Sequence, residues 1–330
     1  MKNHSSFLVT GGTGTFGKEI TKKLIKYPKI KRIVIFSRDE QKQYEMRENI
    51  SDPEGKLRFF IGDVRDKERL SIAMMNVEVV IHAAAMKIVE TSEYNPFECV
   101  KTNIHGAENV VVSSLENSIK KVIALSTDKA CNPINLYGAT KLASDKIFVA
   151  ANNLSGNRNT IFSVVRYGNV LGSRGSIIPI INKALEANKK KFYLTDPQMT
   201  RFAITIDQGV DFVLKIIGLM NGGEIFVPKI PSFKVKDLME VMVNKKYIQI
   251  SGIRPGEKIH EMLISLDDAR NTYENKDFFV IKPQLILSRK KERRSIYKKA
   301  TPKTFIYSSN KNEKWLLKKD LMKMLKSLKI

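Results

Sequence analysis

The chain of 330 residues has few cysteines and no long hydrophobic run. Its two cysteines, Cys99 and Cys131, are far too few for a fold held together by disulfide bonds. No apolar run reaches the roughly 18 residues that suggest a membrane-spanning helix, and the N-terminus lacks the apolar segment and cleavage site of a signal peptide. We therefore expect a soluble, cytoplasmic protein, and its 42% of hydrophobic residues is ample for a buried core.

Acidic residues are also scarce. The chain has 34 aspartates and glutamates against 57 lysines and arginines, which gives a formal net charge of +23. Such an excess can belong to a solvated surface that attracts anionic substrates, or to a surface that binds nucleic acid or anionic lipid. Most lysines are spread along the sequence, and the one dense basic patch is residues 289–294. This spread favours the solvated surface, so no nucleic-acid partner and no membrane span are expected.

The first half of the sequence contains six β-rich, apolar runs. They are residues 7–10, 32–36, 57–61, 77–82, 121–126 and 161–167. Segments with helical periodicity, such as 18–27 and 103–117, lie between them. Continuous apolar strands are buried on both faces, so we predict an α/β fold with a doubly wound parallel sheet of the Rossmann type. Ligands of such sheets bind at the carboxyl ends of the strands.

After Gly168, prolines and glycines break the sequence into short elements. This pattern predicts a smaller, irregular C-terminal domain that packs over the ligand crevice. We expect a dinucleotide-binding domain at residues 1–172, completed by part of 200–230. Residues 173–330 are expected to form mainly a substrate-binding domain.

A glycine-rich loop follows the first strand and leads into the first helix. Gly11, Gly14 and Gly17 allow a tight turn, close approach of the backbone to a pyrophosphate, and close contact between helix and strand. The helix N-terminus adds free N–H groups and the positive end of its dipole. A lone glycine triplet is often only a turn, but the strand–loop–helix context here predicts a dinucleotide cofactor.

The residues after the second and third strands concern the ribose and adenine of that cofactor. Folds that prefer NAD usually end the second strand with a carboxylate, whereas here Ser37 and Arg38 hold that place. A hydroxyl and an arginine suit the 2′-phosphate of NADP. The neighbouring Asp39 keeps NAD open as the less favoured alternative. Asp63 is predicted either to face the adenine or to begin a helix as its N-cap.

Tyr137 and Lys141 are four residues apart, which places them on one face of a helix. A free tyrosine has a pKa of about 10, too high for a base at neutral pH. A neighbouring lysine and a positively charged nicotinamide would favour the phenolate and lower that pKa. Such pairs are common by chance. This one gains weight from residues 126–129, which end a strand shortly before it and offer a hydroxyl to the same pocket.

A set of motifs spread over nearly the whole chain points to one family. They are TGGTGTFG (10–17), HAAA (82–85), STDK (126–129), YGATK (137–141), MTRF (199–202), GEIFVP (223–228) and RPGEK (254–258). Together they resemble the extended short-chain dehydrogenases/reductases. More narrowly, they resemble the inverting UDP-N-acetylglucosamine 4,6-dehydratases, which begin pseudaminic acid biosynthesis. The resemblance is weakest at about residues 262–304.

The resemblance implies roles for individual residues. The implied cofactor contacts, beyond the three glycines, are Thr13, Thr15, Phe16, Ser37, Arg38, Asp39, Glu40, Gln41, Lys42, Asp63, Val64, Ala84, Lys87, Tyr137 and Lys141. The implied substrate contacts are Lys87, Lys129, Asn169, Arg201, Arg254 and Glu257. The implied catalytic residues are Thr127, Asp128, Lys129, Tyr137 and Lys141. Arginine suits a diphosphate because its planar guanidinium can bind two phosphate oxygens, although a single arginine is more often a surface ion-pair partner.

The implied reaction is redox-neutral overall. Tyr137 takes the proton of the sugar's 4-hydroxyl while hydride passes to NADP. The 4-ketone then acidifies the carbon 5 proton, water leaves from carbon 6, and the hydride returns to carbon 6. Asp128 and Lys129 are the acid–base pair of the elimination, with the order of their steps open. Lys141 positions the cofactor ribose and tunes Tyr137.

Two rival functions remain open. An epimerase of the same family would return the hydride to carbon 4 and would not need the Asp128–Lys129 pair. A non-catalytic dinucleotide-binding scaffold could bind polyanions through residues 289–294. The family resemblance also implies a homo-oligomer built partly on the helices around Asn103 and Tyr137.

Three further side chains are interpreted as having no catalytic or metal-binding role. His82 is interpreted as a packed histidine near the cofactor rather than as an acid. His260 lies in a segment that faintly resembles a metal-binding helix, but the two-histidine spacing of a zinc site is missing, so no metal is predicted. Cys131 has no histidine base beside it and is interpreted as part of the pocket wall.

Overall fold

The structure of the protein is a computed structural model that describes residues 4–173, 175–285 and 296–327. All six strands predicted in the first half are present, and two have the predicted bounds, Leu57–Ile61 and Ile161–Tyr167. The elements of this half are β1 Ser6–Thr10, α1 Thr15–Leu24, β2 Arg32–Ser37, α2 Glu40–Asn49, β3 Leu57–Ile61, α3 Lys67–Met74, β4 Val79–His82, α4 Val89–Tyr94, α5 Pro96–Val100, α6 Gly106–Glu116, β5 Lys121–Thr127, α7 Leu136–Leu154 and β6 Ile161–Tyr167.

These six strands form a parallel sheet in the order β3-β2-β1-β4-β5-β6. The chain runs outward from β1 to β3 and then continues at β4 on the other side of β1, so the direction of winding switches between β1 and β4. Phe7, Leu8 and Val9 of β1 are fully buried, as expected of a strand covered on both faces. The predicted doubly wound α/β fold is therefore confirmed.

Two helices differ from their predicted bounds. The helix expected at residues 18–27 is α1, which starts earlier because its first turn carries Thr15 and Phe16, outside the apolar pattern. The helix expected at 103–117 starts as a π-helical turn, Lys101–His105, before α6. In this turn the Asn103 amide donates to the Thr140 hydroxyl and to the Met86 carbonyl oxygen, each at 3.0 Å. Asn103 thus ties the turn to α7 and to the segment next to Lys87.

The second half consists of shorter elements. They are β7 Asn169–Val170, α8 Ile177–Glu186, β8 Phe192–Leu194, β9 Thr200–Ile204, α9 Ile206–Leu219, β10 Ile225–Pro228, β11 Ser232–Lys234, α10 Val235–Met242, β12 Ile248–Ile250, β13 Met262–Ile264, α11 Leu266–Ala269, β14 Thr272–Glu274, β15 Phe278–Ile281, β16 Lys299–Ala300, β17 Tyr307–Ser308 and α12 Lys318–Ser327. β10 extends the large sheet parallel to β6, and β15, β14 and β16 follow as antiparallel strands. The division of the chain into two domains stays a prediction.

A second, smaller hydrophobic core lies outside the large sheet. It includes Ile178 of α8, Phe192 of β8, Phe233 of β11, Leu238 of α10 and Leu321 of α12. The basic patch at residues 289–294 lies outside the described residues. None of the helices that the structure describes is both long and apolar enough to cross a membrane.

Candidate active site

A large cavity of about 1420 Å³ lies at the carboxyl ends of the central strands. Its wall includes Gly11 after β1, Ala83 after β4, Asp128 after β5 and Gly168 after β6. Residues of α8, β8 and the segment 254–258 close it from the other side. The cavity therefore lies where a doubly wound sheet is expected to bind its ligand.

The glycine loop forms one end of the cavity. Gly11 has a φ of +63°, and a Cβ there would meet the backbone nitrogen of Ala84 at 2.9 Å. A Cβ on Gly17 would overlap the carbonyl oxygen of Gly12. α1 begins after Gly14 with no side chain capping it, so its first N–H groups are open to a ligand. The residues that line the cavity beside this loop are Thr13, Thr15 and Phe16. The loop thus fits a pyrophosphate.

The end of β2 has the residues expected to bind a ribose phosphate. Ser37 is buried, and its hydroxyl accepts a hydrogen bond from the Gln43 amide at 3.0 Å. Arg38 lines the cavity with its side chain 63% exposed. Asp39 is the N-cap of α2: its carboxylate accepts from the Lys42 N–H at 2.9 Å and pairs with the Lys42 ammonium. Asp39 is thus engaged with the start of its own helix.

Asp63 lines the cavity next to Arg38. Its carboxylate accepts from the backbone and guanidinium of Arg65 and lies 3.6 Å from the Arg38 guanidinium. Burial alone would raise its pKa, but the hydrogen bonds from Arg65 hold that pKa below its usual value. The N-cap of α3 is Asp66, which accepts from the Arg69 N–H. The alternative that Asp63 begins a helix is therefore wrong.

His82 is a neutral, packed side chain. It lies 2.8 Å from the Thr10 hydroxyl, whose oxygen already accepts from the N–H groups of Ala83 and Ala84. Thr10 therefore donates its own proton to Nδ1 of His82. Burial, with a smaller effect of Lys141, lowers the pKa of His82 to about 3. His82 is thus a packed, neutral side chain, as the sequence interpretation expected, and it is the Thr10 hydroxyl that binds the N–H groups of Ala83 and Ala84.

The five side chains predicted for catalysis all line this cavity. They are Thr127, Asp128, Lys129, Tyr137 and Lys141. The Thr127 hydroxyl and the Lys129 ammonium both donate to one carboxylate oxygen of Asp128, at 3.0 and 3.1 Å. Tyr137 lies in the first turn of α7 and Lys141 one turn later, and both are buried. The structure therefore brings a phenol, an amine and a buried ion pair together.

The pKa of Tyr137 differs from the expectation. Burial raises it to about 12, although the charge of Lys129 and the hydroxyl of Thr127 act to lower it. Burial also lowers the pKa of Lys141, against the opposing effect of Asp145. In the protein without cofactor, the predicted lowering of the Tyr137 pKa by Lys141 is thus not achieved. Burial removes the water that would otherwise stabilise the phenolate.

Lys129 lies between two buried carboxylates. Its ammonium is 3.1 Å from Asp128 and 3.1 Å from Glu261. Burial alone would lower its pKa, but these two carboxylates raise it well above the usual value, so Lys129 is protonated at neutral pH. Burial raises the pKa of Asp128, and Glu261 adds to the rise while Lys129 opposes it.

Arg201 and Glu257 form a connected group that also lines the cavity. The Arg201 guanidinium donates to the carbonyl oxygens of Thr200 and Ile259, at 2.8 and 3.0 Å. It also lies 3.6 Å from Glu257, which accepts from the Thr195 hydroxyl at 2.9 Å. These bonds hold the arginine in place before a ligand binds.

Three further residues predicted to contact the substrate also line this cavity. Arg254 has a side chain that is 54% exposed and lies 3.5 Å from Glu90. The side-chain oxygen of Asn169 is buried and has no hydrogen-bond partner among the described residues. Lys87 completes this set. A buried acceptor without a partner is costly in a folded protein, so Asn169 is suited to bind a ligand donor.

Comparison with known proteins assigns the chain to a family. A sequence model of the polysaccharide biosynthesis protein family matches residues 7–283. The chain belongs to this family. A UDP-N-acetylglucosamine 4,6-dehydratase (inverting) from Campylobacter jejuni is 52% identical over 98% of each chain. A UDP-glucose 4-epimerase from Rickettsia akari is 42% identical, over 80% of this chain and 78% of its own length. The resemblance drawn from the motifs is thus confirmed.

Solved structures agree with this membership. The structure of Pen from Bacillus thuringiensis matches with a TM-score of 0.90 and 35% identity over 99% of both chains. DesIV from Streptomyces venezuelae, a dTDP-glucose 4,6-dehydratase solved with NAD bound, matches with a TM-score of 0.69 and 20% identity, over 77% of this chain and 86% of its own. At that identity the second match supports the fold alone.

Two of the residues predicted to contact the cofactor do not line the cavity. Glu40 and Gln41 are exposed on α2 and do not line the cavity, whereas Lys42 does. Both lie in the first turn of α2, which begins at Glu40, on its solvent-exposed surface. Every other predicted site residue lines the cavity.

Sequence reasoning also missed several residues that shape the site. They are Gln43, Asn135, Asp145 and Glu261. Asn135 is the N-cap of α7: it accepts from the Gly138 N–H and donates to the Gly256 carbonyl oxygen, each at 2.7 Å. An asparagine just before the tyrosine helix was a readable signal for this cap. Asp145 and Glu261 gave none, because their partners are distant in the sequence, and the Gln43 contact with Ser37 depends on the turn between β2 and α2.

A buried charge network supports α7 behind the cavity. Asp145, one turn after Lys141, accepts from the Ser126 hydroxyl at 2.8 Å and from the Arg166 guanidinium at 3.2 Å. Arg166 also pairs with Asp268 at 3.1 Å. This network fixes the helix that carries Tyr137 and Lys141 relative to β5 and β6.

Cys131 and His260 are not part of the site. Cys131 is buried outside the residues that line the cavity, so the expectation that it forms pocket wall is wrong. Burial raises the pKa of its thiol to about 12. His260 lies in a segment that is not helical and is 2.8 Å from the Thr200 hydroxyl. Within the described residues there is no group of three or more metal-binding side chains.

Proposed function

We propose that this chain catalyses the NADP-dependent dehydration of UDP-N-acetylglucosamine to a 4-keto-6-deoxy sugar, with inversion at carbon 5. The observation that carries the proposal is the buried Asp128–Lys129 pair, 3.1 Å apart, in one cavity with Tyr137 and Lys141. Oxidation alone needs the tyrosine and lysine, whereas elimination of water needs a further acid and base. Relatives named for this dehydration, 52% identical over nearly the whole chain, support it. The product would enter pseudaminic acid biosynthesis.

The residues around the cofactor carry out the oxidation step. When bound, the nicotinamide supplies the acceptor and later the donor of the hydride. Tyr137 accepts the proton of the 4-hydroxyl, and the buried Lys141 holds the ribose and adds positive charge beside the phenol. The glycine loop and the N-terminus of α1 hold the pyrophosphate.

The Asp128–Lys129 pair performs the elimination. A ketone at carbon 4 makes the carbon 5 proton acidic, and the 6-hydroxyl must be protonated to leave as water. Lys129 is protonated and suits the acid, whereas Asp128 retains one buried carboxylate oxygen with no partner among the described residues and suits the base. Inversion requires reprotonation from the opposite face, and these two side chains differ in charge and in reach.

Residues on both sides of position 173 hold the substrate, and those beyond it bind the diphosphate. Arg201 and Arg254 bind the diphosphate, Asn169 and Glu257 bind the sugar or its nucleotide, and Lys87 reaches both ligands. We propose the corresponding division of the chain, with residues 1–172 and part of 200–230 binding the dinucleotide and 173–330 mainly the substrate.

NADP is the proposed cofactor. Ser37 and Arg38 line the cavity where a ribose phosphate would lie, and Asp39, which would favour NAD, is engaged with Lys42. NAD is the alternative. We further propose a cytoplasmic homo-oligomer that uses the helices around Asn103 and Tyr137 and that has no nucleic-acid partner.

An epimerase is the competing function, favoured by the relatives of that name. It would return the hydride to carbon 4 and leave the 6-hydroxyl in place. The purified protein is incubated with UDP-N-acetylglucosamine and the product is followed by proton NMR. A new methyl signal from carbon 6 is expected. A product that is a stereoisomer of the substrate would favour the epimerase, and an unchanged substrate would favour a non-catalytic scaffold.

A further inference from the structure

Glu261 lines the active-site cavity and is only 2% exposed, yet the proposed reaction gives it no role. Its carboxylate lies 3.1 Å from the Lys129 ammonium, the same distance as that of Asp128. It also lies 3.7 Å from the Arg201 guanidinium. Glu261 therefore contacts both a catalytic lysine and a predicted substrate-binding arginine.

The backbone of Glu261 is held in place on both sides. Its N–H donates to the Ser309 hydroxyl at 2.9 Å, and its carbonyl oxygen accepts from the Ser309 N–H at 2.8 Å. The residue directly precedes β13, which pairs with β17. A buried carboxylate on a backbone that is held on both sides has little room to move, so it can position its neighbours accurately.

Charge in this cluster is balanced by Glu261. The two buried carboxylates of Asp128 and Glu261 face the two cations of Lys129 and Arg201. Each carboxylate keeps one buried oxygen without a partner among the described residues. An ion-pair cluster that served stability alone would be expected to satisfy these atoms, since an unpaired buried acceptor is costly.

We propose that Glu261 is a positioning residue for elimination: it holds the Lys129 ammonium between two carboxylates, so that one oxygen of Asp128 is left without a partner among the described residues and can act as the base. Without it, the Lys129 ammonium would lose one of its two carboxylate partners and could shift along Asp128 to its second oxygen. This inference rests on the proposed dehydration.

The pH dependence of the reaction gives a readout that a purely structural role would not move. Removing the negative charge of Glu261 lowers the pKa of Asp128 and also that of Lys129, because this charge raises both. The pH profile of kcat should therefore move to lower pH whichever of the two is the base. The other charged or titratable groups around the pair are Arg201, Lys258, Tyr137, Cys131 and, beyond Arg201, Glu257.

The test compares three glutamine variants of the full chain with UDP-N-acetylglucosamine. Glu261→Gln should lower kcat about 100-fold with a small change in KM, and should move the pH profile down by about one unit or more. In a single turnover it should accumulate reduced nicotinamide, because oxidation is intact and elimination is slow. Glu257 contacts Arg201 but not Lys129, so Glu257→Gln should raise KM without moving the pH profile. Glu274→Gln breaks a Glu–Lys pair outside the cavity and should match the wild type.

The outcomes separate this inference from the proposed function. A wild type that leaves the nucleotide-sugar unchanged rejects the function itself. A wild type that dehydrates it, with Glu261→Gln matching Glu274→Gln in kcat and pH profile, overturns the role of Glu261. If Glu261→Gln does not fold, Glu261→Asp decides, since it keeps the charge but withdraws it from Lys129. A lowered kcat with full cofactor content supports the proposal, and a wild-type kcat overturns it.

Discussion

Gly138 does not line the cavity, yet its replacement by alanine should lower the rate of catalysis. A Cβ on Gly138 would overlap the carbonyl oxygen of Lys129 and lie 3.1 Å from Pro133, whereas ordinary contact begins at 3.4 Å. The Lys129 backbone would have to move by about 1 Å, and a misplacement of that size can cost about 100-fold in rate. Overpacking of this kind also destabilises a fold by roughly 1–3 kcal/mol. We therefore expect both a lower kcat and a lower free energy of unfolding.

The assay measures kcat for dehydration, the nucleotide content by mass, and urea unfolding. Gly209→Ala is the matched control, because it is also a helical glycine but its Cβ would meet only Ile204, at 3.9 Å. It should keep the wild-type kcat and gain roughly 0.5–1 kcal/mol, since alanine is the better helix former. A Gly138→Ala protein with wild-type kcat and stability would refute the claim that close contact between α7 and the Lys129 backbone sets the site.

Three further predictions concern the chemistry. Tyr137→Phe should retain its cofactor and lose roughly 10²–10⁴-fold in rate, and more than about a tenth of wild-type activity would show that Tyr137 is not the base. Arg38→Ala should weaken NADP binding far more than NAD binding, and recovery of NAD alone from the purified protein, with affinity unchanged in the variant, would contradict the choice of NADP. In heavy water the product should carry deuterium on carbon 5 and the former carbon 4 hydrogen on carbon 6. Coupling constants that show the original configuration at carbon 5 would contradict inversion.

The parallel half of the fold was predictable because burial on both faces leaves a local signal. Each of the six strands contains a mainly apolar run, most clearly in the central β1 and β4, and two strands were predicted with their observed bounds. The second half carries no such signal. β15, for example, pairs with β14 on one side and with β10 on the other, and its pairing with β10 depends on residues far apart in the sequence. The π-helical turn before α6 was likewise hidden within a regular helical period.

Residues predicted from a motif that fixes a local geometry do lie together in the structure. The glycine loop and the Tyr137–Lys141 pair each depend on residues within one turn or one loop, and both line the cavity. Asp63 and Asp66 show the limit, since both follow β3 and only the structure shows which one caps α3. Glu261 is a stronger example of this limit. Its proposed role depends on its contact with Lys129 and on the hydrogen bonds of its backbone to Ser309, and both of these residues are far from it in the sequence.

Part of the chain's positive charge lies at the wall of the cavity. Lys189, Lys190 and Lys191 are exposed, line its wall, and make no ion pair with any described residue. The carboxylates Asp128 and Glu261 are already paired with cations of the same cavity. We expect these lysines to attract an anionic ligand such as a diphosphate to the cavity. Because such attraction is screened beyond about 8 Å at physiological salt, it should affect kcat/KM and leave kcat unchanged.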